Sequence, residues 1–211
     1  MSWKDDVLAS LDHKTAFCGY AAGECKTRIA AIVADGALAD GLGEGDSAAL
    51  VLDSTPFYAE SGGQVGDVGA ITDGQSVFEV YDCKKSPTGQ FLHLGRMQKG
   101  SLLTGSEVTA TVLRPRRQSS MRNHTAAHLL QYALREVLGS HVYQAGQLVD
   151  ADCCRFDFTH FAAVTSDELM KIEMLVNSLI LDCLPVTVSE MSQDEAKAKG
   201  AMALFSEKYG D

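Results

Sequence analysis

Glu107-Val108-Thr109-Ala110-Thr111-Val112-Leu113-Arg114-Pro115-Arg116-Arg117 is the stretch on which the fold of this chain turns. It opens as a strand of alternating and β-branched residues. It closes as the first turn of a helix, where Pro115 is tolerated because that N–H has no partner in any case. Upstream, Thr27–Val33, Ala48–Leu52, Val77–Tyr81 and Phe91–Leu94 are further strand-like runs. Turn signals at Asp35-Gly36, Asp40-Gly41, Asp73-Gly74, Pro87-Thr88-Gly89 and Lys99-Gly100-Ser101 separate them. Short strands with regular turns predict a small β-barrel over residues 1–112.

Downstream the periodicity changes. Nothing breaks the chain between Pro115 and Leu138, and Gly139 supplies a stop. Leu130, Leu134, Val137 and Leu138 form an apolar stripe at helical spacing. Two strands are predicted next, over Val142–Val149 and Cys153–Phe158, the second alternating Cys154, Phe156 and Phe158 against Arg155 and Asp157. A helix follows over Ser166–Leu181, with Thr165 or Ser166 as N-cap and Glu168 near the capping-box position. Its buried face is predicted from Leu169, Ile172, Leu175, Val176 and Leu179. Pro185–Met191 reads as a strand and Asp194–Lys199 as a short helix ended by Gly200. The chain is therefore expected to be α+β: a barrel over 1–112, then an α/β sandwich over 113–211.

The chain has 211 residues, 45% of them hydrophobic and 22% charged, which is the composition of a globular protein with a real core. No apolar run reaches membrane-spanning length and the N-terminus is not of signal-peptide type, so a cytoplasmic location and no membrane partner are expected. The six cysteines lack CxxC spacing and predict reduced, mostly buried thiols, with Cys153 and Cys154 facing opposite sides of a sheet. A net charge of −10 argues against sequence-independent nucleic-acid binding over a broad surface. One local basic cluster stands out: Arg114, Arg116, Arg117 and Arg122. It reads either as a nucleic-acid contact or as a solvated helix start.

Two segments could carry chemistry. In Asn123-His124-Thr125-Ala126-Ala127-His128-Leu129-Leu130, the two histidines lie one helical turn apart on one face and could grip one zinc ion. A coincidental pair is the alternative. Thr125 occupies the position where a metalloprotease helix carries its glutamate base, so peptide hydrolysis of that kind is disfavoured. In Thr55-Pro56-Phe57-Tyr58-Ala59-Glu60-Ser61-Gly62-Gly63-Gln64-Val65-Gly66-Asp67, the glycine pair permits unusual backbone angles and close ligand approach, or simply makes a tight turn.

Together with Arg155-Phe156-Asp157-Phe158-Thr159-His160 and Ala196-Lys197-Ala198-Lys199-Gly200-Ala201-Met202-Ala203-Leu204-Phe205, these segments occur in an order that resembles the editing region of the alanyl-tRNA synthetase family. The resemblance covers nearly the whole chain. The opening part, including Thr15-Ala16-Phe17-Cys18-Gly19-Tyr20, looks like the barrel that joins the aminoacylation half of such enzymes to the editing core.

The resemblance implies hydrolysis of seryl- and glycyl-esters mischarged onto alanine tRNA, a second sieve for side chains that a pocket rejects poorly. It implies zinc on His124 and His128, with a Cys-x-x-x-His supplying two further ligands; this sequence shows no such pair, so the chain is expected to be a piece of the editing site. His160 is the nearest local substitute, but its segment matches one without ligands in the family. Gln144 matches a glutamine lining the editing pocket, with a plain surface role as the alternative. The resemblance makes Thr125 and the Gly62-Gly63-Gln64 turn further expected substrate or tRNA contacts. The family commonly carries threonine where this chain has Ala127, a change that bears on serine-versus-alanine discrimination. ATP and magnesium belong to the aminoacylation half of the full enzyme, which this chain is expected to lack. A free-standing editing hydrolase and a non-catalytic tRNA-binding module are the competing readings.

Overall fold

The computed structural model describes Val7, Leu11 and residues 13–187, 189 and 191–200. The chain divides into two compact units, Met1–Ser120 and Met121–Asp211.

In the first unit six strands close into an antiparallel barrel: β2 (Glu24–Ala34), β5 (Ser47–Leu52), β9 (Phe91–Lys99), β8 (Val77–Lys85), β7 (Gly69–Thr72) and β11 (Glu107–Val112). Closure is made by β11 on β2, from Glu107 opposite Arg28 to Thr111 opposite Glu24. Five of the six were legible as strands. β7 was not, because it offers one buried apolar residue, Ile71, and begins with a glycine. Smaller pairings join β1 (Ala16–Phe17) to β6 (Ser54–Thr55), β3 (Ala37–Ala39) to β2, and β4 (Gly41–Leu42) to β10 (Leu102–Leu103). Register shifts in β2 between Ile29 and Ala31, and in β8 between Val80 and Asp82, bend these strands as a small barrel demands.

The barrel core gathers Ile29, Ile32, Leu50, Leu52, Phe57, Ile71, Phe78, Val80, Met97 and Val108. A second cluster, with Ala31, Val33, Ala49, Val51, Leu92 and Leu94, packs against Val7 and Leu11. β5 is thus covered on both faces, which is why Ala48–Leu52 reads as an unbroken apolar run rather than an alternation.

In the second unit, helix α1 (Arg114–Leu138, begun in the first unit) presents Ala133 and Leu134 to Val142 and Ile172, with Phe156, Phe158, Leu175 and Val176 around them. Among the described residues the sheet here is one hairpin, β12 (Gln144–Val149) and β13 (Cys154–Phe158). Asn123 Nδ2 donates to Asp150 O at 2.9 Å, tying α1 to the hairpin turn. Helix α2 (Ser166–Leu181) starts with the expected Thr165–Glu168 capping box. Helix α3 (Gln193–Ala198) follows Ser192, whose hydroxyl and N–H both bond to Glu195. The α+β expectation holds.

Four details correct the sequence reading. Leu169 is 54% exposed, since a two-stranded sheet covers only the middle of the α2 stripe. Pro185–Met191 is not a strand among its described residues; Val188 and Glu190 lie outside them. Only Cys83 is a buried thiol, and Cys153 is exposed in the turn before β13 rather than packed in the sheet, its N–H donated to Asp150 Oδ1 at 2.8 Å. The cysteines are free, as expected.

One polar residue sits at the centre of the barrel. His93 is fully buried on β9. Its Nδ1 lies 2.9 Å from Leu50 O and must donate there, so Nε2 accepts from the Thr55 hydroxyl at 2.6 Å. Thr55 Oγ1 in turn accepts the Phe57 N–H at 3.1 Å. Burial pushes the imidazole down from 6.5 to about 4, so it stays neutral. As pH falls from 6.5 toward 4, the unfolded chain takes up a proton that the barrel refuses, and stability drops. The expected loss is on the order of 3 kcal/mol. Urea unfolding of the wild type at neutral and acid pH, against His93→Gln, checks this; the glutamine variant should lose that share of the pH slope.

Candidate functional site

In the first unit the glycine-pair segment is a braced loop. Ser61 and Gln64 exchange backbone hydrogen bonds at 3.2 and 3.0 Å around Gly62 and Gly63, whose φ angles are 58° and 75°. Positive φ at both central positions is the signature of a tight turn of type I′, and glycine adopts it without strain. The two glycines are half-exposed, whereas Gln64 is buried. A ligand meeting this turn would therefore meet its backbone first.

The brace is an ion pair. Asp67 accepts Arg117 Nε on both carboxylate oxygens at 2.8 Å, and Nη2 also contacts Oδ2. Asp67 accepts the Tyr58 N–H at 2.8 Å and donates its own N–H to Tyr58 O at 2.9 Å. The rest of the guanidinium reaches Pro56 O at 2.8 Å and Gly19 O at 3.1 Å, and it lies 6.0 Å from the Tyr58 ring centre. Both side chains are nearly buried, at 12% and 6% exposed. Glu60 N–H closes the loop onto Cys83 O at 2.8 Å. Of the four arginines in the basic cluster, Arg114, Arg116 and Arg122 are exposed and Arg117 is not.

In the second unit, His124 and His128 stack face to face, ring centres 5.2 Å apart and planes 9° from parallel. His128 is exposed and His124 half-buried. Thr125 is exposed and its hydroxyl donates back to Met121 O at 3.1 Å, while Ala127 points into the core at 1% exposed. Gln144 is half-buried at the start of β12, opposite Phe158. The two imidazoles, one helical turn apart on one helix, have the donor chemistry of zinc ligands. Among the described residues no group of three His, Cys, Asp or Glu could hold a metal. His160 does not join the pair: its Nδ1 hydrogen-bonds His141 Nε2 at 2.9 Å, and Phe161 stacks on His141 at 4.5 Å. No helix among the described residues is long and apolar enough to cross a membrane.

The structure thus brings His124, Thr125 and His128 together on one helix, and Gly62, Gly63 and Gln64 in one turn. Sequence reasoning missed Asp67 and Arg117, which no local pattern connects.

Comparison with known proteins supplies the context. Residues 1–116 match the family model of tRNA synthetases class II (A). Alanine–tRNA ligase of Acetivibrio thermocellus is 50% identical over 212 residues, covering 100% of this chain and 24% of its own length. The alanine–tRNA ligases of Exiguobacterium sibiricum and Bacillus velezensis are 48% and 44% identical, again over 100% of this chain and 24% of their length. The chain therefore spans about a quarter of the curated relatives it matches.

Removing Arg117 would leave Asp67 buried without its partner, which typically costs 3–5 kcal/mol. Arg117→Ala is expected to lose about that much in chemical unfolding of the barrel. Arg117→Lys should recover only part of it, because an ammonium cannot span both carboxylate oxygens and two carbonyls.

Proposed function

From the premise that the chain belongs to the family of tRNA synthetases class II (A), we propose that it is the barrel and editing portion of an alanine–tRNA ligase, acting on misacylated alanine tRNA in the cytoplasm. The observation that carries the reading is the stacked His124–His128 pair on α1, in a chain 50% identical throughout to an alanine–tRNA ligase. The substrates are the seryl and glycyl esters of that tRNA. Hydrolysis adds water across the ester and releases the free amino acid and the ribose hydroxyl of the tRNA.

His124 and His128 would hold zinc, with two further ligands from outside the described residues. When bound, zinc supplies a Lewis acid and orders the pocket. Gln144 offers an amide that both donates and accepts toward the polar groups of the amino acid. Thr125 stands one residue from His124, with its hydroxyl proton committed to Met121 O and its lone pairs open to a substrate donor. The Gly62-Gly63 turn lets an RNA end approach the backbone where a side chain would obstruct it. ATP and magnesium serve the aminoacylation half of the full enzyme.

That the described residues provide two zinc donors and no third favours one alternative, a tRNA-binding module without hydrolytic activity. Deacylation of seryl-tRNA and glycyl-tRNA, with and without added zinc, separates the two. In the protein extended through the two further ligands, zinc-dependent hydrolysis is expected, falling more than about ten-fold in His124→Ala and His128→Ala, since even the outer partners of a metal ligand are worth that much; without those ligands it should be weak or absent. Zinc content by mass spectrometry should fall in the same variants. Retained tRNA binding without hydrolysis would establish the non-catalytic alternative, and unchanged zinc in His128→Ala would overturn the ligand assignment.

A further inference from the structure

A cleft of about 680 Å³ opens on the barrel beside the glycine-pair turn. Aromatic rings line one wall. Phe17 and Phe91 stack at 5.7 Å with planes 8° apart, Tyr20 stands edge-on to Phe17 at 5.0 Å, and Tyr58 lies 6.5 Å from Phe17. Three of these rings are packed into the barrel wall to differing degrees, but Tyr20 is 88% exposed.

That exposure is imposed by the backbone. Residues 18–22 form a turn in which the Ala21 and Ala22 N–H groups both donate to Cys18 O, at 3.1 and 3.2 Å. Gly19 lies so close to the Pro56 carbonyl that a Cβ there would come within 2.2 Å of its oxygen. The Gly19 carbonyl is also held by Arg117. A turn pinned at both ends keeps the tyrosine ring standing in solvent with a broad face uncovered.

The charges around this ring are positive. Lys14 and Lys85 line the cleft, Lys85 Nζ lying 5.5 Å from the centre of Phe91. The one carboxylate in the lining, Glu60, is paired with Lys84 at 3.3 Å, and that pairing raises the Lys84 ammonium above its ordinary range. In a chain of net charge −10, the cleft is a local cationic pocket with an aromatic platform.

An aromatic face beside lysines is the chemistry that holds an unpaired nucleotide: every base has a stackable face, and its phosphate seeks a cation. We propose that this cleft binds one unpaired nucleotide of an RNA strand, with the base stacked on Tyr20 and the phosphate on Lys14 and Lys85. The assignment deepens the tRNA-binding reading above and rests on it. It is a holding site for the RNA and takes no part in ester hydrolysis.

The test uses the full chain and a short mixed-sequence oligoribonucleotide with a fluorescein label, read by anisotropy. Tyr20→Ala is expected to weaken binding roughly ten-fold, within the range measured for loss of one base–aromatic stack, and Tyr20→Phe to retain it. The paired variant Lys14→Ala/Lys85→Ala should lower the slope of log affinity against log salt by roughly 0.7, the share of one phosphate contact on a single strand. The same sequence annealed to its complement should bind more weakly than the single strand. Equal affinity of Tyr20→Ala and wild type, tighter binding of the duplex, an unaltered salt slope or no binding of the oligoribonucleotide would each overturn the assignment. Seryl-tRNA hydrolysis keeps the two readings apart: if Tyr20→Ala loses the oligoribonucleotide while His128→Ala leaves hydrolysis unchanged, the cleft stands and the editing reading falls.

Discussion

The Asp67–Arg117 pair is the constraint on which the first unit depends. Arg117 lies in the first turn of α1, a turn with no acidic residue and several arginines, which opposes the positive end of the helix dipole. Asp67 supplies the missing negative charge from a loop far away in sequence. The same guanidinium takes up the carbonyls of Pro56 and Gly19, so one side chain fixes the helix start, the glycine-pair loop and the turn bearing Tyr20. Desolvating two charges is costly, and the pair is worthwhile only because the fork geometry of arginine uses its donors so completely.

What could be read in the sequence followed from local pattern. The barrel strands β2, β5, β8, β9 and β11 announced themselves by apolar or β-branched runs, and α2 by its capping box and stripe. What could not be read depended on partners. β7 is a strand because β8 and β11 lie on either side of it, since Gly69-Ala70-Ile71-Thr72 has little strand character of its own. The polar ends of β8 and β9 extend as strands because they pair with each other past a bulge. Leu169 sits on an apolar stripe that its small sheet leaves partly bare. Arg117 is indistinguishable from Arg114 and Arg116 until the fold brings Asp67 to it.

The candidate site divides in the same way. The i,i+4 histidines were legible because helical spacing alone aligns them, and their parallel rings follow from that spacing. The role of Ala127 was less evident from sequence. At 1% exposed it fills the core of the second unit, so a hydroxyl there would have to find an acceptor away from water, and the helix backbone is the nearest source. A threonine in place of Ala127 would thus alter the packing of this core. The aromatic cleft escaped sequence reasoning altogether, because Phe17, Tyr20, Tyr58 and Phe91 come from separate turns and strands.

The closure of β11 onto β2 has a consequence for how the protein is made. β2 leaves the ribosome before the other five barrel strands, and its edge stays open until the distant β11 has been synthesised. Until then an unpaired strand edge is available for wrong partners, the hazard that accompanies pairing between remote segments. Arg117 emerges shortly after β11 and closes on Asp67, which has been waiting since the middle of the barrel was translated. The ion pair therefore acts as a latch set at the end of barrel synthesis, and the first turn of α1 is anchored only once that latch has engaged.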